Sequence, residues 1–202
     1  MCFGWAKWFS SRPAPHFLCR CATGNAPAER RKPIAVGVRG KPKKQKKASM
    51  TKINFREWEL IVDKELTKLT YDNAPLGGPN TCLCLECENF VKTREIAYPD
   101  EIKQLFIELG IDYKNECEVC HYCRLENGLH LYSGWFHFKG NFKGKNCKIQ
   151  TGENSSTFDL TPITENFSIG FCHDSGLALF DNTENLVQIE FETKIPWTIE
   201  NE

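Results

Sequence analysis

Residues 117–142 read CEVCHYCRLENGLHLYSGWFHFKGNF, and the fold turns on them. Asn127-Gly128 separates two runs of aromatic and aliphatic residues. That pair tolerates the positive φ angles of a type I′ turn, whose twist matches the strands it joins. The spacing predicts a β-hairpin with a two-residue turn. Its register puts Glu126 opposite Leu129, Cys123 opposite Tyr132, His121 opposite Gly134 and Cys117 opposite Phe138. Alternation then places Cys117, Val119, His121, Cys123, His130, Tyr132 and Phe136 on one face, and Cys120, Tyr122, Trp135 and His137 on the other. Both faces are largely apolar, so the hairpin is expected at the centre of a sheet. Gly134 marks either a bulge or a close backbone approach.

Working back toward the N-terminus, Ile102, Leu105, Phe106 and Leu109 repeat at helical spacing. Pro99 opens that helix and Gly110 ends it as a left-handed cap, giving 100–109. A second helix is expected over 86–97. A third is expected over 54–69, with Asn54 as its cap, Glu57 in the capping-box position, and Trp58, Ile61, Val62, Leu66 and Leu69 on one stripe. Beyond the hairpin, strands are expected at 147–150, 157–160, 167–171, 178–180 and 186–191, separated by Asn, Asp, Ser and Gly turns. Helices followed by strands imply an α+β fold: two or three N-terminal helices packed on an antiparallel sheet built around the central hairpin.

Charge divides the chain. Residues 1–49 hold 12 Lys or Arg and one acid, a net of +11; residues 50–202 hold 14 basic and 25 acidic residues, a net of −11. The first segment reads as a disordered basic extension, and residues 50–202 as a single α+β domain. The extension also fits a transit peptide, a basic patch at 41–47, a Cys19/Cys21 metal pair, or a stretch upstream of a start at Met50. The acidic body argues against direct nucleic-acid binding, which needs a basic surface, and suits a basic protein partner. No apolar run reaches the roughly 18 residues of a membrane span. Eleven cysteines is an odd number and argues against a closed disulfide framework, so a reduced, cytoplasmic setting is expected.

Several phrases resemble an uncharacterised bacterial domain family. They are Cys84-x-x-Cys87-x-Asn89-Phe90, Tyr98-Pro99, Leu109-Gly110-Ile111-Asp112, the run GLHLYSGWFHF from Gly128 to Phe138, and Ile195-Pro196-Trp197. The resemblance covers about residues 80–198. It implies a domain boundary and no activity.

Cys82, Cys84 and Cys87 form the sharpest chemical pattern, C-x-C-x-x-C. Thiolates two and three residues apart on a tight turn wrap one soft cation. A structural zinc site needs four ligands, so the fourth is sought among Cys117, Cys120, Cys123 and His121. An iron–sulfur cluster fits the same spacing. The competing reading is small residues buried at a helix start. Cys117-x-x-Cys120-x-x-Cys123 looks like a second half-site, but a spacing of three on a strand turns Cys120 away from the other two. His121, Cys123 and His130 share a face and form another candidate. His173-Asp174-Ser175 reads as a turn, with Asp174 accepting backbone N–H groups and Gly176 at positive φ. The functional expectation is a non-catalytic binding or interaction protein with structural zinc. A metal-dependent or thiol-based enzyme using the cysteine turn with His121 or His130 is the alternative.

Overall fold

The computed structural model describes residues 49–74, 76–153 and 155–200. The readings of residues 1–48, including the transit peptide, the basic patch and the Cys19/Cys21 pair, lie outside it. The chain is α+β. In order it forms β1 (Met50–Phe55), β2 (Trp58–Asp63), α1 (Lys64–Asn73), α2 (Gly78–Thr81), α3 (Leu85–Ala97) and α4 (Asp100–Leu109). Then follow β3 (Glu118–Arg124), β4 (His130–Lys143), β5 (Lys148–Gly152), β6 (Ser155–Phe158), β7 (Thr161–Thr164), β8 (Phe167–Cys172) and β9 (Leu186–Ile195). Seven strands make one antiparallel sheet in the order β1-β2-β4-β9-β8-β7, with β3 also paired to β4; β5 and β6 form a separate ribbon.

The 14-residue β4 organises the sheet. Along one edge it pairs with β9 from His130 to Lys139. Its other edge is shared: β3 covers His130 to Trp135, and β2 covers Gly140 to Lys143. In the gap between them α1 supplies the missing partners. The Tyr71 hydroxyl donates to His137 O (3.0 Å) and accepts from His137 N–H (3.1 Å), and Thr67 Oγ1 accepts from Lys139 N–H (3.0 Å). An unsatisfied buried backbone group costs about as much as a lost hydrogen bond, so these contacts lock α1 to the strand. The hairpin is therefore central through β4 alone; β3 lies at the sheet edge.

The expected helix over 54–69 is corrected. Met50 to Asp63 form the β1–β2 hairpin, and the helix begins only at Lys64 with Asp63 as its cap, Oδ1 accepting Leu66 N–H at 3.0 Å. Trp58, Leu60 and Val62 alternate inward and are buried, a period of two, whereas Leu69 of the expected stripe is 58% exposed. Trp58 is core, as expected. Residues 178–180 form no strand, and β7 was not foreseen. The helices α3 and α4 stand close to their expected bounds, and Gly110 caps α4 at φ +82°. Pro99 takes the N-cap of α4, one place earlier than the first helical turn.

The turn of the β3–β4 hairpin is also corrected. Gly128 has φ +82° but Asn127 does not share the positive region, so the turn is not type I′. Gly128 N–H donates to Leu125 O (3.0 Å) and Leu125 N–H to Leu129 O (2.7 Å), which makes a three-residue loop with Gly128 in the left-handed position. That loop pairs Arg124 with His130 and Cys123 with Leu131, and a bulge at Tyr122 then shifts the register so that His121 pairs with Tyr132. Gly134 is a close approach rather than a bulge, since a Cβ there would sit 2.5 Å from Glu118 O and 2.7 Å from the Phe191 ring. A Cβ at Gly128 meets nothing within 4 Å. Gly128→Val is therefore expected to cost only the local strain of about 1–2 kcal/mol, measured as a small drop in urea midpoint.

The core lies between the sheet and the pair α3–α4. Its centre is Tyr98, in the α3–α4 junction, whose ring meets Phe90, Phe106, Phe136, Phe167 and Phe191. Aromatic edges and faces meet here in the T-shaped and tilted arrangements that the ring quadrupole favours.

Candidate metal centre

Three short segments place the cysteine turn. The α2 turn begins at Gly77-Gly78-Pro79, and Cys82 closes it, its N–H donating to Gly78 O at 3.1 Å. Cys84 then caps α3: its sulfur accepts Cys87 N–H at 3.4 Å, the role Ser or Asp usually fills at a helix start. The Cys82 and Cys84 sulfurs are 3.4 Å apart, and all three sulfurs lie within 4.8 Å of one another. Four-coordinate zinc with bonds of about 2.3 Å holds its sulfurs about 3.8 Å apart, so the spacing fits a single cation. This group could hold a metal ion. Cys87 is buried and the other two are partly exposed, while Leu83 between them is 100% exposed. The Cys84 sulfur sits at the N-terminus of α3, where the helix dipole favours negative charge.

A buried ion pair anchors the turn. Arg94 on α3 forks onto Glu116, with Nε to Oε1 at 2.9 Å and Nη2 to Oε2 at 2.8 Å. Tyr98 O–H also donates to Glu116 Oε1 (2.9 Å), and Gly78 N–H to Glu116 O (3.1 Å). Arg94 Nη2 further donates to Asn80 Oδ1 at 3.2 Å. Glu116 thus ties α3, α2 and the approach to β3 together, its carboxylate holding Arg94 and Tyr98 and its backbone carbonyl holding Gly78. Burial pushes the Glu116 carboxyl above its ordinary range, with the guanidinium pulling the other way.

The remaining sequence candidates separate. Cys117 is not in the three-sulfur group; its sulfur lies 3.4 Å from His137 Nδ1. Cys120 lies opposite Ser133 in register. The three-residue loop pairs Cys123 with Leu131, off the His130 face, and the bulge at Tyr122 returns His121 to that face, so the expected His121–Cys123–His130 site is corrected to a histidine pair. His121 Nε2 and His130 Nδ1 are 3.0 Å apart, with the Trp197 ring 4.8 Å from that of His130. Burial, and then the His130 charge, hold His121 below its ordinary pKa; Glu86 in the first turn of α3 opposes this. Asp174 makes the expected turn, accepting from Ser175 N–H (2.8 Å) and Gly176 N–H (3.3 Å). Positive φ falls on Leu177 instead of Gly176.

The sequence did not disclose a polar chain on the sheet face away from the core. His137 Nε2 meets Gln188 Oε1 at 2.9 Å, and Gln188 Nε2 donates to Glu190 Oε1. Gln188 and Glu190 alternate with Val187, Ile189 and Phe191, the usual signature of a strand with one side in water, yet both are buried. Burial lifts the Glu190 carboxyl to about 8 and lowers His137 to about 4. The two act in opposite directions. Folded Glu190 keeps its proton where the unfolded chain has lost it, so its contribution is full below about pH 4.3 and is lost as pH rises to about 8. Folded His137 stays neutral where the unfolded chain is charged, so its contribution is lost as pH falls from about 6.5 to about 4. Stability is therefore expected to decline from about pH 6.5 to about pH 8 by up to 1.4 kcal/mol per unit. Glu190→Gln should flatten that limb in urea melts taken across the range.

Comparison with protein-family models, curated proteins and solved structures found no match. Among the described residues, no helix is long and apolar enough to cross a membrane.

Proposed function

We propose that the chain is a non-catalytic binding protein whose Cys82–Cys84–Cys87 turn holds a structural zinc ion. The observation that carries this reading is the set of three sulfurs within 4.8 Å at the start of α3. Among the fourth donors named from sequence, His121 suits best. It stands on the sheet face that meets α3, feels Glu86 electrostatically, and packs its ring 4.9 Å from Tyr132, whose hydroxyl donates to Glu86 O at 3.1 Å. Zinc would tie the α2–α3 turn to the sheet. The exposed Leu83 and Leu85 beside it would give a partner an apolar foothold. The acidic balance of residues 50–202 favours a basic partner.

A structural ion stabilises the fold it closes. Chelation of the zinc-loaded protein should lower the thermal midpoint and raise hydrogen exchange over residues 78–90. No change in either would remove the structural role. The second reading, a metal-dependent enzyme, draws on the group having three sulfurs and not four, because an open fourth position suits catalysis. Cobalt substitution separates the two: a spectrum unmoved by added azide supports the structural ion, and one that shifts supports an open site.

A further inference from the structure

Apart from the metal turn, the structure assembles Cys117, His137 and Gln188 into a linear array. We infer that Cys117 is a nucleophilic thiol served by His137 as general base, and that it accepts the acyl group of a thioester or activated ester. The array runs from Cys117 Sγ to His137 Nδ1 at 3.4 Å, and from His137 Nε2 to Gln188 Oε1 at 2.9 Å. Gln188 Nε2 donates to Glu190, so the amide presents its oxygen to His137. That oxygen accepts a hydrogen bond from Nε2–H, which fixes the proton on Nε2 and leaves the Nδ1 lone pair facing the thiol. A base held in the right tautomer by a third group is the arrangement nucleophilic catalysis uses.

Further features bear on the pair. The backbone N–H of Leu179 is directed at it. Trp135, two positions along β4 on the His137 face, carries a buried indole N–H with no hydrogen-bond partner among the described residues. Cys117 as a residue is partly exposed while His137 is fully buried, so the approach from solvent lies on the Cys117 side of the pair. The charged and titratable groups around His137 are Glu190 on β9, Tyr71 on α1, and Asp174 after β8, whose backbone carbonyl also faces the imidazole and whose carboxylate Lys148 of β5 holds at 2.5 Å; Glu116 and Glu118 flank Cys117 and oppose its thiolate. Burial keeps the resting pair neutral, with Cys117 near 12 and His137 near 4. Attack must therefore be concerted with proton transfer. The Cys117 S–H proton passes to His137 Nδ1 as sulfur bonds to the acyl carbon. The leaving thiolate or alkoxide then departs, taking that proton, and the product is an S-acyl cysteine.

This mechanism has a pH signature. An unassisted thiol near 12 reacts through its thiolate, at a rate that rises about tenfold per pH unit. A His137-assisted thiol reacts at a constant rate wherever the imidazole is neutral, from about pH 6 to about pH 8.5. The full-length protein as purified is treated with p-nitrophenyl acetate, and acetylation is followed at each cysteine by peptide mass spectrometry. The expected result is acetylation of Cys117 ahead of every other cysteine, at a pH-independent rate. Cys117→Ser removes it, and His137→Asn slows it by at least about 100-fold. A rate at Cys117 that climbs tenfold per unit, or no acetylation of Cys117, overturns the inference. The wild-type profile decides the matter even if the His137 variant does not fold.

Discussion

Arg94→Ala is expected to destabilise the protein by about 3–5 kcal/mol, because it strips a buried carboxylate of its counter-ion. Arg94 and Glu116 are 8% and 0% exposed, and the guanidinium makes two of the three side-chain hydrogen bonds to that carboxylate. Typical domains have only about 5–15 kcal/mol in total, so the variant should be near its unfolding limit. The loss has a pH signature. Without Arg94 the largest influence opposing burial is gone, only the Tyr98 and backbone hydrogen bonds still counter it, and the Glu116 carboxyl rises further, so folded Glu116 holds its proton to higher pH than the unfolded chain does. The penalty is then smallest at acid pH, where Glu116 is protonated in both states, and grows toward neutrality. Urea melts at acid and neutral pH measure both effects. A loss below about 1 kcal/mol at neutral pH would mean that water reaches the pair.

Gly140→Ala is the second large effect. A Cβ at this position would lie 2.0 Å from Ile61 O and 3.0 Å from Val62 Cα, and the backbone sits at φ +156°. No rotamer relieves a clash between two backbones, so β2 must move away from β4. That movement breaks the pairing of Leu60 with Phe142 and Val62 with Gly140, and opens the core beside Trp58. Overpacking alone costs about 1–3 kcal/mol, and the lost strand pairing takes the expected change to about 3 kcal/mol or more. Thermal melts would show it beside the mild Gly128→Val, where only φ is strained. If the two variants melt alike, the shared edge of β4 is misread.

The contrast shows what the chain discloses locally. The helices α3 and α4 are legible because period, Pro99 and Gly110 agree. Residues 54–69 are not, because Trp58 and Val62 serve a helical stripe and a strand alternation equally well, and only β4, some eighty residues away, decides for the strand. Asn127-Gly128 gives the hairpin, but the loop holds three residues instead of two, which moves Cys123 to the other face. The bulge at Tyr122, which depends on pairing across to β4, shifts His121 again, so neither place could be read. The three-sulfur turn is local and was found from spacing. The chain from Cys117 to Glu190 joins segments far apart in sequence, and on β9 it looks like a solvent face, so no local pattern points to it.

The central claim is that Cys82, Cys84 and Cys87 hold a metal. Elemental analysis of the full chain, purified without added metal, tests it most directly. The account predicts about one equivalent of zinc per chain, lost when Cys82, Cys84 and Cys87 are all replaced by Ser and retained in Cys117→Ser. Less than about one tenth of an equivalent of any transition metal in the unaltered protein, or zinc that survives the triple replacement, would contradict it.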